Sequence, residues 1–221
     1  MSIPKAPPFS MTAEDEARRI AELEVENGLR QYDLAIDAIK SFQERDRPFS
    51  LRSSLIQQLQ ETAVKGIEAH PGEWRTGPVS ISKSKHSPPP AHLVKFLVEE
   101  MCDHVNDNWH ERTAFYLSSY VMWRLNWIHP FEDGNGRTSR IISYIVLSAK
   151  LNTILPGVPT VVQQIQNDRT AYFRALDQAD AAARAGQVDV SEMEAVIRGM
   201  LATQLLSIIH EADGGSAQIS D

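Results

Sequence analysis

Apolar residues recur at helical spacing through most of this chain, and the stretches between those runs are short. From Thr12, a residue type suited to an N-cap and followed by Glu14, Asp15 and Glu16, the positions Ile20, Leu23, Leu34, Ile36 and Ile39 trace a helix to about Phe42. Glu26-Asn27-Gly28 interrupts that stripe, and Glu44-Arg-Asp-Arg-Pro48 ends it. A second helix is predicted from about Ser50 to Glu68, stopped by His70-Pro71-Gly72. The periodicity resumes at about 91–107, 110–127, 136–152, 160–184 with a break inside, and 191–212. Residues 1–10 read as a flexible leader, and Gly214-Gly215-Ser216 and beyond should fray. Between Gly72 and Pro90 the texture differs: Val79 and Ile81 alternate with polar neighbours, and Pro88-Pro-Pro90 follows. This predicts a short β-hairpin near residues 73–87 and then an extended segment. No internal repeat is present, so the predicted fold is all-α with one hairpin.

At 221 residues the chain is long enough for one generous domain and short for two. Its 22 Lys and Arg against 29 Asp and Glu give a formal charge of -7, which argues against a nucleic-acid binder and for a solvated acidic surface. Cys102 is alone, in an apolar pattern with Val98, Met101 and Val105, as a core residue in a reducing compartment would be. Met1 to Ser10 lacks the apolar stretch of a signal peptide, and no run approaches a membrane span. The expected location is the cytoplasm, with no membrane partner.

The chemistry concentrates in His129-Pro-Phe-Glu-Asp-Gly-Asn-Gly-Arg-Thr-Ser-Arg140. Trp123 to Ile128 should be the buried end of a helix, and Pro130 favours an extended conformation at His129, where that helix stops. Gly134 and Gly136 let the main chain approach a ligand closely. The helix that Arg137 opens would present N–H groups and a positive dipole end, a cradle for phosphate. Arg137 and Arg140, three apart, are expected to be neighbours on its surface and to converge on one polyphosphate. Asp133 is a hard carboxylate of the kind that binds magnesium. A His-Pro at a helix end or an Asp-Gly-Asn-Gly turn is commonly structural by itself; their conjunction is what points to chemistry.

That conjunction resembles the Fic motif, His-x-Phe-x-(Asp/Glu)-Gly-Asn-Gly-Arg-x-x-Arg, at every position, and Trp74, Arg75, Thr76, Val79, Ile81 and Pro88-Pro-Pro90 resemble the strand pair before the Fic core. The resemblance implies a Fic core over residues 50–185, preceded by a leader and candidate regulatory helix (1–49) and followed by a C-terminal helix and tail (186–221), all packed as one unit. It implies a protein adenylyltransferase that transfers AMP from Mg-ATP to a hydroxyl of a target protein. His129 would be the general base, its ordinary pKa near 6.5 leaving it neutral at cytosolic pH. Phe131 would anchor the loop and Asp133 would hold Mg2+. Backbone N–H groups near Gly134, Asn135 and Gly136 would form an anion hole, with Asn135 towards the α-phosphate, Arg137 at the β-phosphate and Arg140 at the γ-phosphate. Tyr172 falls where relatives line the nucleotide pocket. Relatives with Lys at the motif's second glycine act as kinases, and others transfer phosphocholine or UMP; Gly136 and both arginines favour AMP here.

The resemblance also implies a flap over Trp74 to His86, with Thr76, Val79, Ser80 and Ile81 docking a target segment by strand addition and Lys83, Lys85 and His86 making it locally basic. Many relatives are restrained by a glutamate in (Ser/Thr)-x-x-x-Glu-(Gly/Asn) that pairs with the last motif arginine, here Arg140. Glu26-Asn27 has the ending but Glu22 at the start; Ser207 to Glu211 has the start but Ala212 at the end. Each is equally an ordinary surface glutamate, and the alternatives are a separate antitoxin, self-association, or no restraint. Two rival functions stay open: a de-AMPylase using a glutamate such as Glu26 to orient water, and a nucleotide-sensing binding module.

Overall fold

In the computed structural model the described residues are 12–44, 48–81, 84 and 86–216, without the side chains of 211–216. The leader at 1–10, Lys83 and Lys85 lie outside them. Eight α-helices follow in order among the described residues: α1 (Ala13–Phe42), α2 (Ser53–Val64), α3 (Val94–Asp107), α4 (Ala114–Ile128), α5 (Asn135–Lys150), α6 (Val161–Asn167), α7 (Thr170–Arg184) and α8 (Ser191–Ser216). A 3-10 turn at Ala91–Leu93 leads into α3. None of them is long and apolar enough to cross a membrane.

The antiparallel pair α4 and α5 forms the centre. α5 is buried on almost every face, from Asn135 and Thr138 through Ile145 to Ala149, as a helix surrounded by other helices must be. α1 and α2 pack on α5 from one side, α3 and α8 cover α4, and α6 and α7 pack beside α8. The shared core includes Ile39, Leu59, Met101, Leu117, Trp123, Ile145 and Ile197.

Local chemistry sets most helix ends. Thr12 accepts from the Asp15 N–H at 3.1 Å while the Asp15 carboxylate accepts from the Thr12 N–H at 3.2 Å, a reciprocal cap where the sequence places it. Thr160 and Gln163 repeat the device at α6. Two ends differ from expectation. α2 stops at Val64, ahead of Gly66, whose φ is +74°. α8 continues to Ser216 through the glycines expected to fray, since extending an existing helix costs far less than starting one. Glu26-Asn27-Gly28 does not interrupt α1 either. Asn27 and Gln31 are buried and donate to the Lys65 and Leu59 carbonyls of the α2 region at 2.8 and 2.9 Å, so this polar stretch is a seam between helices.

The hairpin expected at 73–87 is not seen among the described residues, none of which forms a strand. The segment keeps its alternation, with Thr76 and Ser80 exposed and Val79 and Ile81 half-buried, but it pairs with no second strand there. An isolated two-stranded ribbon is marginal in water, and Pro78 and Pro88-Pro-Pro90 remove ladder donors. Its anchors lie elsewhere. The Arg75 N–H donates to the Pro130 carbonyl at 2.9 Å, and a His86 ring nitrogen lies 2.7 Å from the Trp127 carbonyl.

The link from α5 to α6 passes under α8. Buried Gln204 donates to the Leu155 and Pro156 carbonyls and accepts from the Val161 N–H at 2.9 Å. Gly157 sits at φ +91°, where a Cβ would lie 2.1 Å from the Gln204 carbonyl oxygen. Gly157→Ala is therefore expected to cost about 3 kcal/mol or more, from the backbone clash and the left-handed angle together, as measured by urea unfolding.

Candidate active site

Six residues, 129–134, reverse the chain between α4 and α5, and both ends of that reversal are left-handed. His129 has φ 50° and ψ 60° and donates its N–H to the Leu125 carbonyl at 2.9 Å; Gly134 has φ 80°. His129 is thus not extended, as Pro130 alone would favour. A left-handed non-glycine residue costs on the order of 1–3 kcal/mol and persists where its surroundings over-determine it.

Arg75 supplies much of that determination. Only 3% exposed, its guanidinium donates to the carbonyls of His129 (2.7 Å), Ile128 (3.3 Å), Gly77 (3.0 Å) and Pro89 (2.5 Å). The cation sits at the negative end of α4 with no carboxylate paired to it among the described residues, and burial lowers its pKa. Phe131 is fully buried and packs on Trp74 with ring centroids 4.9 Å apart. Asn135 closes the loop: its Oδ1 accepts from the Phe131 N–H at 3.0 Å and its Nδ2 donates to the Phe131 carbonyl at 2.9 Å. With both ends of that amide engaged, what Asn135 offers an anion is its backbone N–H. Gln60 of α2 donates to the Asp133 carbonyl at 3.0 Å and accepts from the Gly72 N–H at 2.6 Å, tying the loop to the segment before it.

The His129 ring is half-buried, with Nδ1 3.3 Å from the Asn126 carbonyl. A carbonyl only accepts, so it holds a proton on Nδ1 and leaves Nε2 as the basic nitrogen. Burial lowers the His129 pKa, outweighing the opposing effect of the Asn126 carbonyl, with Arg75 and His86 adding to the fall.

The start of α5 has no side-chain cap, and the first described helical bond runs from Thr138 N–H to Gly134 carbonyl, leaving the preceding N–H groups for a ligand. Gly134 is required there: a Cβ would stand 2.9 Å from Val64 Cγ1. A cavity of about 1010 Å³ opens at this point, with Gly134, Gly136, Arg137 and Arg140 at one end and Val25, Leu29, Tyr32 and Val162 among its apolar walls. Arg169 of the α6–α7 link also borders it. A second cavity of about 260 Å³, on the side of Trp74, Arg75 and Thr76, shares Asp133 with the first. His129 lines neither.

The two motif arginines both face the large cavity but differ in state. Arg137 donates to Asp133 at 2.6 Å, to Glu24 of α1 at 3.1 Å and to the Ala63 carbonyl at 3.3 Å. Arg140 is not a surface residue. It is 5% exposed, its Nε has no partner, and no carboxylate pairs with it among the described residues; burial lowers its pKa. Glu26 does not reach it: its carboxylate takes Arg30 at 2.6 Å on the exposed side of α1. Glu24 is the α1 acid that faces the loop. The side chain of Glu211 lies outside the described residues. Tyr172 is 2% exposed and absent from the cavity walls. Among the described residues no three His, Cys, Asp or Glu side chains are grouped to hold a metal, and the Asp133 carboxylate is paired with Arg137.

Gln60, Arg75, Asn126 and Glu24 were not assigned these roles by sequence. A polar residue within the apolar stripe of α2 or α4 could have hinted at Gln60 and Asn126; Arg75, outside the helices, and exposed Glu24 carry no such signal.

The model of the Fic/DOC family matches residues 50–147. A probable protein adenylyltransferase of Aquifex aeolicus is 31% identical over 134 residues, covering 59% of this chain and 37% of its own length. The protein adenylyltransferase Fic of Nematostella vectensis is 32% identical over 151 residues, covering 59% and 31%. The chain therefore spans about a third of the length of the curated relatives it matches. Among solved structures, a Fic family protein from Desulfovibrio desulfuricans superposes with a TM-score of 0.58 at 19% identity, covering 98% of this chain and 79% of the other. Fic-1 from C. elegans superposes at 0.64 with 16% identity, covering 96% and 56%, a likeness of fold.

Arg75→Lys tests the clamp. A single ammonium cannot span four carbonyls, so the variant is expected to lose about 2–4 kcal/mol and to melt about 5–10 °C lower in a thermal scan.

Proposed function

We propose that this chain, whose residues 50–147 form a domain of the Fic/DOC family, transfers AMP from Mg-ATP to a hydroxyl side chain of a target protein. The observation that carries this reading is Arg140, a buried cation with no carboxylate partner among the described residues, facing a cavity that the uncapped start of α5 also borders. Burying a charge without a partner is costly, and a polyphosphate anion would supply both the charge and the acceptors the guanidinium lacks. The free N–H groups of the α5 terminus would bind the same anion. The apolar walls around Val25, Leu29 and Val162 would take the base.

In the reaction, the target hydroxyl oxygen attacks the α-phosphorus, the bond from that phosphorus to the oxygen bridging the β-phosphate breaks, and pyrophosphate departs. The hydroxyl proton passes to Nε2 of His129, the nitrogen that the Asn126 carbonyl leaves unprotonated. His129 lies outside the large cavity, which suits a base that meets the target rather than the nucleotide. Thr76, Val79, Ser80 and Ile81, extended beside the loop with no strand partner among the described residues, would receive the target segment by main-chain pairing. Asp133 would hold Mg2+, which keeps most of its shell for water and phosphate oxygens and so fits a single carboxylate; bound there it would offset phosphate charge. Arg137 would take the β-phosphate, exchanging Glu24 and Asp133 for phosphate oxygens. That exchange makes Glu24 a restraint on binding, acting at Arg137 and not at Arg140, where the restraint expected of Glu26 would act.

Incubated with Mg-ATP, the chain or a partner is expected to gain the mass of one AMP. His129→Ala should lower transfer about 10²–10⁴-fold with nucleotide binding retained, whereas Arg140→Ala should weaken binding itself. Binding without transfer in the wild-type chain would leave a nucleotide sensor in place of an enzyme.

The pH dependence has a defined sign. Because burial depresses the His129 pKa below its ordinary 6.5, the imidazole stays neutral as pH falls past that value. The acid limb of the rate profile is therefore expected below pH 6.5; a limb above it would contradict the buried geometry.

A further inference from the structure

Three parts of the chain wall the large cavity, and each brings a different charge. α5 and the turn before it bring Asp133, Arg137 and Arg140, while α1 brings one acid, Glu24, among mostly apolar residues. The third wall runs from Val158 through α6 to the α6–α7 link. Thr160, Val162, Gln163 and Gln166 are neutral there, so Arg169 is the one charge this wall contributes among the described residues. Both carboxylates of the cavity are taken by a single cation: Arg137 meets Asp133 at 2.6 Å and Glu24 at 3.1 Å. Arg140 and Arg169 are left without a carboxylate partner among the described residues, in a chain whose formal charge is -7.

Arg169 is fixed at its main chain and free at its head. It stands just before α7, where its carbonyl accepts from the Phe173 N–H at 2.8 Å. The adjacent Asp168 carboxylate accepts from the Thr170 N–H at 2.9 Å and forms no ion pair with Arg169. Arg169 is exposed, and its guanidinium makes no hydrogen bond, ion pair or ring contact among the described residues. A solvated guanidinium loses little hydration on meeting a phosphate, and its fork matches two phosphate oxygens.

We infer that Arg169 is a nucleotide-binding residue that holds the terminal phosphate of ATP and so selects the triphosphate over the di- and monophosphate. The inference rests on the proposal that the large cavity binds Mg-ATP. Two constraints assign the phosphate. The α-phosphorus has to lie at the 129–134 turn, where the target hydroxyl meets His129. Arg169 is no part of that turn and borders only the large cavity, whereas Arg75, which holds the His129 carbonyl, borders the small one. The second constraint is the sign of each wall. Glu24 repels phosphate from α1, so the polyphosphate lies between α5 and Arg169, and the apolar side of α1 is left to the base.

The test is equilibrium binding and transfer by the 221-residue chain, with Mg-ATP, Mg-ADP and AMP as probes. Arg169→Gln is expected to weaken ATP binding and raise KM for ATP about tenfold, with kcat and the affinities for ADP and AMP within about twofold of wild type. Arg169→Lys keeps the charge without the fork and should bring ATP affinity back to within about threefold. Arg174→Gln is the control for loss of charge alone: Arg174 lies on α7, outside the cavity walls and 3.8 Å from Glu192, and should leave all three affinities unchanged. Both positions are exposed, so neither substitution disturbs the core. If the chain binds ATP without transferring AMP, the three affinities decide. Unaltered ATP binding in Arg169→Gln, an equal loss for ATP, ADP and AMP, or the same loss in Arg174→Gln overturns the inference and leaves the nucleotide reading standing. A wild-type chain that binds none of the three nucleotides overturns both.

Discussion

Everything at the candidate site depends on turning the chain through six residues between two helices that are already packed against each other. α4 and α5 are the most enclosed elements of the fold, so the turn that joins them has little room to adjust. Left-handed angles at His129 and Gly134 make the reversal, and buried polar groups then have to be satisfied inside the protein. Arg75 meets the carbonyls at the end of α4, Asn135 pairs with the Phe131 main chain, and Gln60 takes the Asp133 carbonyl. The loop is held by hydrogen bonds from three separate parts of the chain, and the imidazole and the start of α5 are placed by the same bonds.

The charges divide by burial. Arg75 is buried and balanced by carbonyl dipoles at a helix end, a structural use of a cation. Arg137 is half-exposed and balanced by Asp133 and Glu24, an arrangement that water screens and a ligand can exchange. Arg140 is buried, its Nε has no hydrogen-bond partner, and no carboxylate among the described residues balances it. Those differences, within one small region, distinguish the cation that holds the loop from the one left without an ionic partner among the described residues. They also place the local acids: the α1 carboxylate that reaches the site is Glu24, while Glu26 is turned outward to Arg30.

Helix positions were legible in the sequence because each depends on local causes. The Thr12 cap, the 3.6-residue stripes, the break within 160–184 and the stop at His129 all follow from neighbours in the chain. The hairpin was not legible, because alternation marks a half-buried extended segment without saying whether a partner strand exists. Residues 74–81 kept the alternation and found main-chain and arginine contacts to the 129–134 loop instead. The polar stretch at Glu26-Asn27-Gly28 misled for a related reason: a buried Asn looks like an interruption until the carbonyl it serves, on another helix, is known.

Of the site, the sequence by itself determined the inventory: an imidazole at a helix exit, a glycine-bearing turn, one carboxylate and two guanidiniums at fixed spacing. Spacing along one loop and one helical turn is a local property, so those residues had to lie close together. Which guanidinium is buried, which one Glu24 meets, and which side-chain amide ties Tyr172 to Ser139 were decided only by tertiary packing. Burial and hydrogen-bond partnership depend on α1, α2 and α7 arriving from distant parts of the chain, and no local pattern encodes the distance between elements that meet only on folding.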